Sequence, residues 1–190
     1  MKIIYVRPQS TSGRLRIGAS DGENKYDYSL SESEYSALGS LLSGDLIDED
    51  THNKIRSFDL LYRARKKALG ILSYADNSEQ ALIRKLRMAG FSSEISRLVG
   101  AEMVSRGYVN DSRQLKRFIS AEVRINKTGP AKLIPKLMAK GYTRSDITTV
   151  LDELVCSGEV NFEEAKKALI EKLDGESDEI IKKTLYKNGY

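Results

Sequence analysis

The chain has 190 residues, of which 40% are hydrophobic and 31% are charged, a composition typical of a folded globular protein and not of a disordered one. The single cysteine, Cys156, excludes a disulfide framework. The sequence contains neither an apolar run long enough to span a bilayer nor the apolar core of a signal peptide. We therefore expect a cytoplasmic protein without membrane association.

The net charge of +4 is unevenly distributed along the chain. Residues 1–62 carry 7 basic and 10 acidic side chains, residues 63–144 carry 18 and 6, and residues 145–190 carry 6 and 11, which gives −3, +12 and −5. The basic middle segment is suited to contact a polyanion or an acidic protein surface. For any single cation, solvation of a helix surface is the simpler role.

The N-terminal segment has the pattern of short strands. Three stretches are rich in β-branched and aromatic residues or alternate apolar with polar ones, and turn-forming residues separate them at 8–13 and 20–24. The stretches are residues 2–6, 14–17 and 25–30. We predict three short antiparallel strands.

Helical signals dominate after the strands. Ser31 and Glu34 form a capping box, which predicts a short helix that ends near Leu42. Residues 45–53 are acidic, and we predict them either as a connection or as the start of the next helix. From about Ile55 onward, apolar residues recur at helical spacing.

Three helices are predicted between Ile55 and Gly107. They cover residues 55–75, 78–89 and 92–107, with Ser78 and Ser92 or Ser93 as N-caps. The apolar face of the third helix is predicted to consist of Leu98, Val99, Met103 and Val104.

A second group of three helices follows in the same order. Asn110 caps the first, Pro130 suits the first turn of the second, and residues 143–155 supply the third. Pro135 is expected to bend the second helix or to move its start. The inward residues of the first helix are predicted to be Leu115, Phe118, Ile119 and Ile125.

A third group is incomplete. Asn161 caps its first helix, with Phe162, Ala165, Leu169 and Leu173 predicted inward, and its second helix runs to the end of the chain. The inward residues of this last helix are predicted to be Ile180, Ile181 and Leu185.

These three groups share a signature. The stretch at 85–91 (KLRMAGF) returns at 136–142 (KLMAKGY) and at 184–190 (TLYKNGY), so the period is 51 and then 48 residues. A period of this size indicates tandem supersecondary units that pack on their neighbours. Each Leu-x-x-x-Gly-aromatic stretch predicts a helix end with a left-handed glycine. We interpret these glycines as structural.

The predicted fold class is therefore mainly α, an elongated tandem array of three-helix repeats with a small N-terminal β-strand element. We expect an N-terminal extension at residues 1–54, repeat 1 at 55–109, repeat 2 at 110–160 and a partial repeat 3 at 161–190.

No catalytic constellation is evident in the sequence. His52 is the only histidine, so a metal site of the usual type and a Cys156–His52 nucleophile pair are both disfavoured. The sequence has no Gly-rich phosphate loop, and the acidic stretch at 45–50 lacks the spacing of a Ca²⁺ loop. We expect no catalytic residues, no metal site and no cofactor. A hydrolase built around residues 45–50 is the least favoured hypothesis.

Basic side chains on successive predicted helices are the remaining functional signal. If several of them meet phosphates, binding will fall steeply with salt. The candidate partner-binding or polyanion-binding residues are Arg63, Arg65, Lys66, Lys67, Arg84, Lys85, Arg87, Arg113, Lys116, Arg117, Arg124, Lys127, Lys132, Lys136 and Lys140.

Taken together, the motifs closely resemble those of the RecX family of recombination regulators. The resemblance covers about residues 55–190 and rests on the helix-end stretches at 86–91 and 137–142, the segment 107–111 (GYVND) and Gly129-Pro130. It departs at residues 161–162, which are Asn-Phe where residues 110–111 are Asn-Asp.

The resemblance implies a protein that binds the RecA filament, formed by RecA with single-stranded DNA and ATP, across neighbouring protomers. It implies lower RecA ATP hydrolysis, strand exchange and co-protease activity, without chemistry by the regulator itself. We expect a monomer, with the N-terminal segment contributing stability or filament-end contacts. The alternative hypothesis is a helical repeat protein that binds DNA directly, because three-helix units resemble helix-turn-helix domains.

Overall fold

The computed structural model describes residues 1–9 and 13–190, which form a three-stranded sheet followed by nine helices. The predicted turn at 8–13 falls partly on residues 10–12, outside the described residues. The elements are β1 (Lys2–Gln9), β2 (Arg14–Ser20), β3 (Lys25–Ser31), α1 (Glu32–Ser36), α2 (Glu49–Tyr74), α3 (Glu79–Met88), α4 (Ser93–Ser105), α5 (Asp111–Arg124), α6 (Pro130–Ala139), α7 (Arg144–Cys156), α8 (Phe162–Glu171) and α9 (Asp178–Asn188).

The N-terminal sheet is antiparallel with the order β1-β2-β3, as predicted. One face of the sheet buries Ile3, Ile17 and Leu30 in a core that also contains Ile55 at the start of α2. The backbone N–H of Ser29 donates to the buried carboxylate of Asp59, at 2.9 Å. Because the long helix α2 closes this core, the sheet is anchored to the first repeat.

Two helix boundaries differ from the prediction. The helix α1 ends at Ser36 and not near Leu42, because Gly39 and Ser40 have positive φ angles of 84° and 56° that helical residues do not adopt. The helix α2 begins at Glu49 and not at Ile55, since the Asp48 side chain accepts a hydrogen bond from the Thr51 N–H at 2.7 Å and caps it. Of the two alternatives for residues 45–53, a connection or the start of the next helix, the second is therefore correct from Asp48 onward.

The helices α2–α4 and α5–α7 form two successive three-helix units, and α8 and α9 follow as two helices of a third. The equivalent residues Leu86 and Leu137 are 0% and 1% exposed. They lie in separate hydrophobic clusters. The first two repeats therefore have separate cores, and the second core extends into the third repeat through Ala165 of α8.

The predicted helix ends are confirmed. Gly90, Gly141 and Gly189 have φ angles of 93°, 96° and 88°. The aromatic residue after each glycine donates its backbone N–H to the leucine carbonyl five residues earlier, at 3.2, 3.4 and 3.1 Å respectively. This hydrogen bond defines the Schellman motif, so the repeated signature is a helix terminator.

Some residues predicted to face inward are exposed instead. Of the four residues of α4 that were predicted to face inward, only Val99 and Met103 belong to the hydrophobic core of repeat 1. The helix therefore buries a narrower face than predicted. Ile125 lies at the C-terminal cap of α5, one residue beyond the end of the helix at Arg124. The exposed residues that the sequence placed inward are Leu98 at 56%, Val104 at 41%, Ile125 at 62% and Ile180 at 45%.

Pro135 does not move the start of its helix. The helix α6 begins at Pro130 and continues through Pro135 to Ala139. Pro130 occupies the first turn, as predicted, where a missing N–H costs nothing. Pro135 lies on the exposed side of the helix.

Candidate interaction surface

The fifteen candidate cations lie on α2, α3, α5 and α6 or directly after α5 and α6. All of them are exposed except Arg65 and Lys127, which are partly buried. Exposure alone does not distinguish a binding residue from one that stabilises the fold, so the partners of each side chain decide its role.

Two of the candidates form one repeated structural contact. Arg65 lies 2.7 Å from Glu102, and Lys116 lies 2.9 Å from Glu153. Both pairs join the first and third helices of a repeat. Lys116 and Glu153 each lie one period of 51 residues after Arg65 and Glu102. These cations therefore connect the first and third helices of each three-helix unit. The shared spacing of 37 residues between cation and acid in both pairs was the sequence signal for this role.

A second repeated cation position also serves the fold. The Lys85 ammonium donates to the Asn77 side chain at 2.5 Å, and its counterpart Lys136 lies 2.6 Å from Glu122. Burial alone would raise the pKa of Glu122, but the hydrogen bonds and charge supplied chiefly by Lys136 outweigh it and lower the pKa. Lys136 therefore holds a charged carboxylate within repeat 2.

A third repeated position behaves differently in the two repeats. Arg117 lies 3.2 Å from Asp76, an acidic residue of the preceding repeat. Its counterpart Lys66, one period earlier, has no ion-pair or hydrogen-bond partner among residues 1–9 and 13–190. The difference arises because repeat 1 has the sheet before it and not another repeat.

Two further candidates are held by local contacts. Arg63 lies 2.7 Å from Asp59 and also donates to the Asp27 carbonyl of the sheet at 3.2 Å. Lys140 lies over the ring of Phe118, with its ammonium 4.6 Å from the ring centroid. Both cations have a role within the fold.

Eight candidates remain without an ion-pair or hydrogen-bond partner in the described part of the chain. All lie between α2 and α6, within the segment of charge +12. They are Lys66, Lys67, Arg84, Arg87, Arg113, Arg124, Lys127 and Lys132, and we call them the unpaired cations.

A buried polar network joins repeats 1 and 2, and the sequence did not predict it. The Gln114 amide accepts from the Tyr142 hydroxyl at 2.9 Å and donates to the Asn77 carbonyl at 3.3 Å. The Asp111 carboxylate accepts from the Glu79 N–H at 3.1 Å. The network fixes the orientation of the surface that carries the unpaired cations, because buried polar groups tolerate few alternative arrangements.

Burial shifts the pKa values of the two titratable groups in this network. It raises the pKa of Tyr142 to about 12. It also raises the pKa of Asp111, although the Glu79 N–H opposes the shift. Tyr142 itself is a core residue, with an exposure of 5%.

Other side chains singled out in the sequence occupy structural positions. His52 Nε2 lies 2.7 Å from the Tyr28 hydroxyl, between α2 and the sheet, and burial lowers the pKa of His52. Within the acidic stretch, Asp48 caps α2 and Asp45 accepts from the Leu42 N–H at 2.6 Å. Cys156 is exposed at the end of α7.

In residues 1–9 and 13–190, no helix combines the length and hydrophobicity needed to cross a membrane. The same residues contain no cluster of three or more side chains able to hold a metal ion.

Comparison with known proteins gives a consistent result. A Clostridioides difficile protein named regulatory protein RecX is 33% identical over 114 residues, which is 60% of this chain and 53% of the relative. A Listeria monocytogenes protein of the same name is 28% identical over 152 residues, covering 78% of this chain and 54% of the relative. The chain thus spans about half the length of these curated relatives. No protein-family model matches.

Solved structures show a similar fold. A crystal structure of regulatory protein RecX matches this chain over its whole length, and the match covers 94% of the RecX chain. The TM-score is 0.74 and the sequence identity is 21%. The chain is therefore similar to RecX proteins in sequence and in fold. A second crystal structure, of RecX from Lactobacillus salivarius, matches 70% of this chain and 89% of its own length, with a TM-score of 0.58 and 18% identity. At these identities the structures show a shared fold.

Proposed function

We propose that this chain is a member of the RecX family and a non-enzymatic regulator that binds the RecA filament and lowers its ATPase, strand-exchange and co-protease activities. The relatives bear the name regulatory protein, which supports a regulatory role in general. The observation that carries the finer proposal is the set of unpaired cations on a fold that matches a RecX structure along its whole length.

The distinction between paired and unpaired cations narrows the predicted binding surface. A cation that already holds a carboxylate must give up that contact before it can bind a partner, so it contributes little net affinity. An unpaired cation loses only its bound water when it binds a partner, so it can contribute more affinity. A filament of protein on single-stranded DNA offers phosphates and protein carboxylates, and both suit Arg and Lys. The unpaired cations are thus the residues that we propose contact the filament.

Regulation without chemistry requires a difference in affinity. A ligand shifts an equilibrium only as far as it binds one state more tightly than the other. A chain of rigidly joined repeats that spans neighbouring RecA protomers would bind only the arrangement of protomers that matches its own spacing. The polar network between repeats 1 and 2 supports this proposal because it gives the surface a fixed geometry.

The primary test is the RecA ATPase rate on single-stranded DNA with increasing amounts of this protein. We expect inhibition by the wild-type chain. The variant Arg84→Glu/Arg87→Glu changes two unpaired, exposed cations and should need about tenfold more protein for the same inhibition, equivalent to about 1.4 kcal/mol. The matched control Lys182→Glu/Lys183→Glu changes the charge equally in the acidic C-terminal segment and should inhibit like the wild type. Absence of inhibition at several-fold excess of wild-type protein would contradict the proposal.

A second candidate function is direct DNA binding, which the excess of unpaired cations also favours. Gel-shift titration without RecA separates the two candidates. Tight binding to DNA that survives moderate salt would favour this function, because sequence-independent phosphate contacts alone weaken steeply as salt rises. Under the proposed function, DNA binding by the isolated protein should be weak and lost at moderate salt.

A further inference from the structure

The repeated helix-end glycine is a contact surface between repeats, and the contact is made at two of its three occurrences. A Cβ atom on Gly141 would lie 2.7 Å from Ser78 Oγ, and one on Gly189 would lie 2.6 Å from the Lys132 nitrogen. Each glycine therefore receives the first turn of the second helix of the preceding repeat. Gly90 has the same backbone conformation, but among the described residues no atom lies within 4 Å of its Cβ position.

The contact surface of repeat 1 is consequently open. A groove of about 740 Å³ lies between α2 and the turn after α3, with Gly70, Ile71, Ala89 and Phe91 among its lining residues. Lys66 and Lys67 line the same groove. We call this surface, formed by Gly90 and the groove, the open seat.

The positive charge of the open seat indicates which kind of segment can bind there. In repeat 2 the occupied seat holds the loop before α3, and Asp76 of that loop pairs with Arg117. Lys66 is the counterpart of Arg117 and is unpaired among residues 1–9 and 13–190. By analogy with repeat 2, the open seat suits the first turn of a helix that is accompanied by acidic side chains.

The helix α9 presents such a turn. The first turn of α9 is the counterpart of the first turns of α3 and α6, and Ser177, its N-cap, makes no side-chain capping hydrogen bond. Ile180, in the position of Ala81 and Lys132, is 45% exposed. The exposed acidic residues around this turn are Asp174, Glu176, Asp178 and Glu179.

We propose that the open seat of one molecule receives the first turn of α9 from a second copy, so that two molecules continue the repeat array head to tail. Both complementary surfaces lie on the same chain, with Lys66 and Lys67 on one and exposed acidic side chains on the other. The contact repeats a geometry that the chain already uses twice. A head-to-tail contact is heterologous and leaves one surface free at each end, so it permits a linear series of copies.

The association should be weak and sensitive to salt. A single junction between repeats is smaller than a standard protein interface, and its charges are exposed, so ionic strength screens them. The monomer expected from the sequence is then the form at low concentration. This proposal does not depend on RecA, so its test is independent of the proposed function.

The test uses zero-length crosslinking of the full chain. Unlabelled and ¹⁵N-labelled protein are mixed and treated with a carbodiimide, which activates a carboxylate so that a lysine amine displaces the activating group and forms an amide. Mass spectrometry should find Lys66 or Lys67 joined to Glu176 or Glu179 in pairs of mixed isotope, which only contact between two molecules produces. Mixed-isotope pairs elsewhere only, or no mixed pairs, would overturn the proposal.

A charge-exchange experiment gives a second readout. Sedimentation velocity at low salt should show association of the wild-type protein that is lost in Lys66→Glu/Lys67→Glu and in Glu176→Lys/Glu179→Lys. All four positions are exposed, so the variants should remain folded, which circular dichroism checks. Either variant alone should stay monomeric, and a mixture of the two should associate again. Association that persists in the lysine variant, or a wild-type protein that is monomeric throughout, would contradict the head-to-tail contact.

Discussion

The two junctions between repeats use the same backbone position but different side chains. At the first junction, Ser78 Oγ donates to the carbonyl of Lys140 at 2.9 Å. At the second, the N–H of Gly129, the counterpart of Ser78, donates to the carbonyl of Asn188 at 2.7 Å. Around this shared contact the first junction is polar and the second is largely apolar.

Where the first junction has a hydrogen-bond donor and its acceptor, the second junction has lost both. Asp111 accepts from the Glu79 N–H at the first junction. At the second junction the counterparts are Phe162, which has no acceptor, and Pro130, which has no N–H to donate. A buried donor without an acceptor costs stability. Because the donor and the acceptor are both missing at the second junction, neither group is left there without a partner.

One group at the second junction departs from this pairing. Tyr142 donates its hydroxyl to Gln114 at the first junction. Its counterpart Tyr190 packs against the hydrophobic cluster that contains Ala165, the counterpart of Gln114. The Tyr190 hydroxyl is buried without a hydrogen-bond partner among the described residues. This fold thus fixes the distance between repeats through the glycine contact at both junctions, whereas side-chain hydrogen bonds fix the orientation only at the first junction among residues 1–9 and 13–190.

The largest expected effect tests the glycine contact itself. Gly141→Ala places a methyl group against Ser78 and the Ala81 nitrogen, in a left-handed conformation. We expect a loss of about 2–4 kcal/mol of unfolding free energy from overpacking and backbone strain combined. The matched control Gly90→Ala meets open space and should cost only about 1–2 kcal/mol, from the backbone alone. Urea denaturation of both variants measures the difference, and equal losses would show that the junction is not tightly packed.

The next effect tests the buried hydroxyls. Tyr142→Phe removes the donor to Gln114 and should cost about 1–2 kcal/mol, because the buried amide oxygen loses its partner. Tyr190→Phe removes an unpartnered hydroxyl and should be neutral or slightly stabilising. Thermal melts of the two variants provide the comparison. A larger loss for Tyr190→Phe would mean that the second junction is the more strongly hydrogen-bonded one.

The pH dependence of stability tests Asp111. Because burial raises the folded-state pKa of this carboxyl above its usual 3.8, its favourable contribution is present below that value and is lost as pH rises through the folded-state pKa. Asp111→Asn keeps an oxygen acceptor for the Glu79 N–H but carries no charge. The stability of the variant relative to wild type should therefore increase from pH 3.5 to pH 7. Denaturant titrations at both pH values measure this, and an opposite trend would indicate that the charged carboxylate is favoured.

The smallest effect concerns the surface pair across the first junction. Asp76 and Arg117 have side-chain exposures of 58% and 71%, so Asp76→Ala should cost about 0–1 kcal/mol and less in high salt. At the second junction the counterparts are Lys127 and Ala168, and the Lys127 side chain has no ion-pair partner within the described ranges 1–9 and 13–190, so Lys127→Ala should not change stability. A loss above this range for Asp76→Ala would show that the pair is coupled to the buried network.

Much of the fold could be predicted from local sequence. The N-caps Ser78, Asn110 and Asn161 and the helix-end glycines are confirmed, because capping and left-handed glycines depend on residues a few positions apart. The boundary of α1 and the exposure of Leu98 and Ile180 were predicted wrongly. These features depend on which neighbouring element covers a residue, and periodicity within one helix carries no such information.

By itself, the sequence determined the repeat period, the helix ends and the location of positive charge, because each is a matter of residue type and spacing. Only the tertiary structure decided that Arg65 and Lys116 brace the repeats while Lys66 is unpaired, and that the seat at Gly90 is open while those at Gly141 and Gly189 are filled. The physical reason is that a charge or a glycine acquires its role from the atoms that folding brings within a few ångströms. In this chain those atoms belong to another helix or to the preceding repeat.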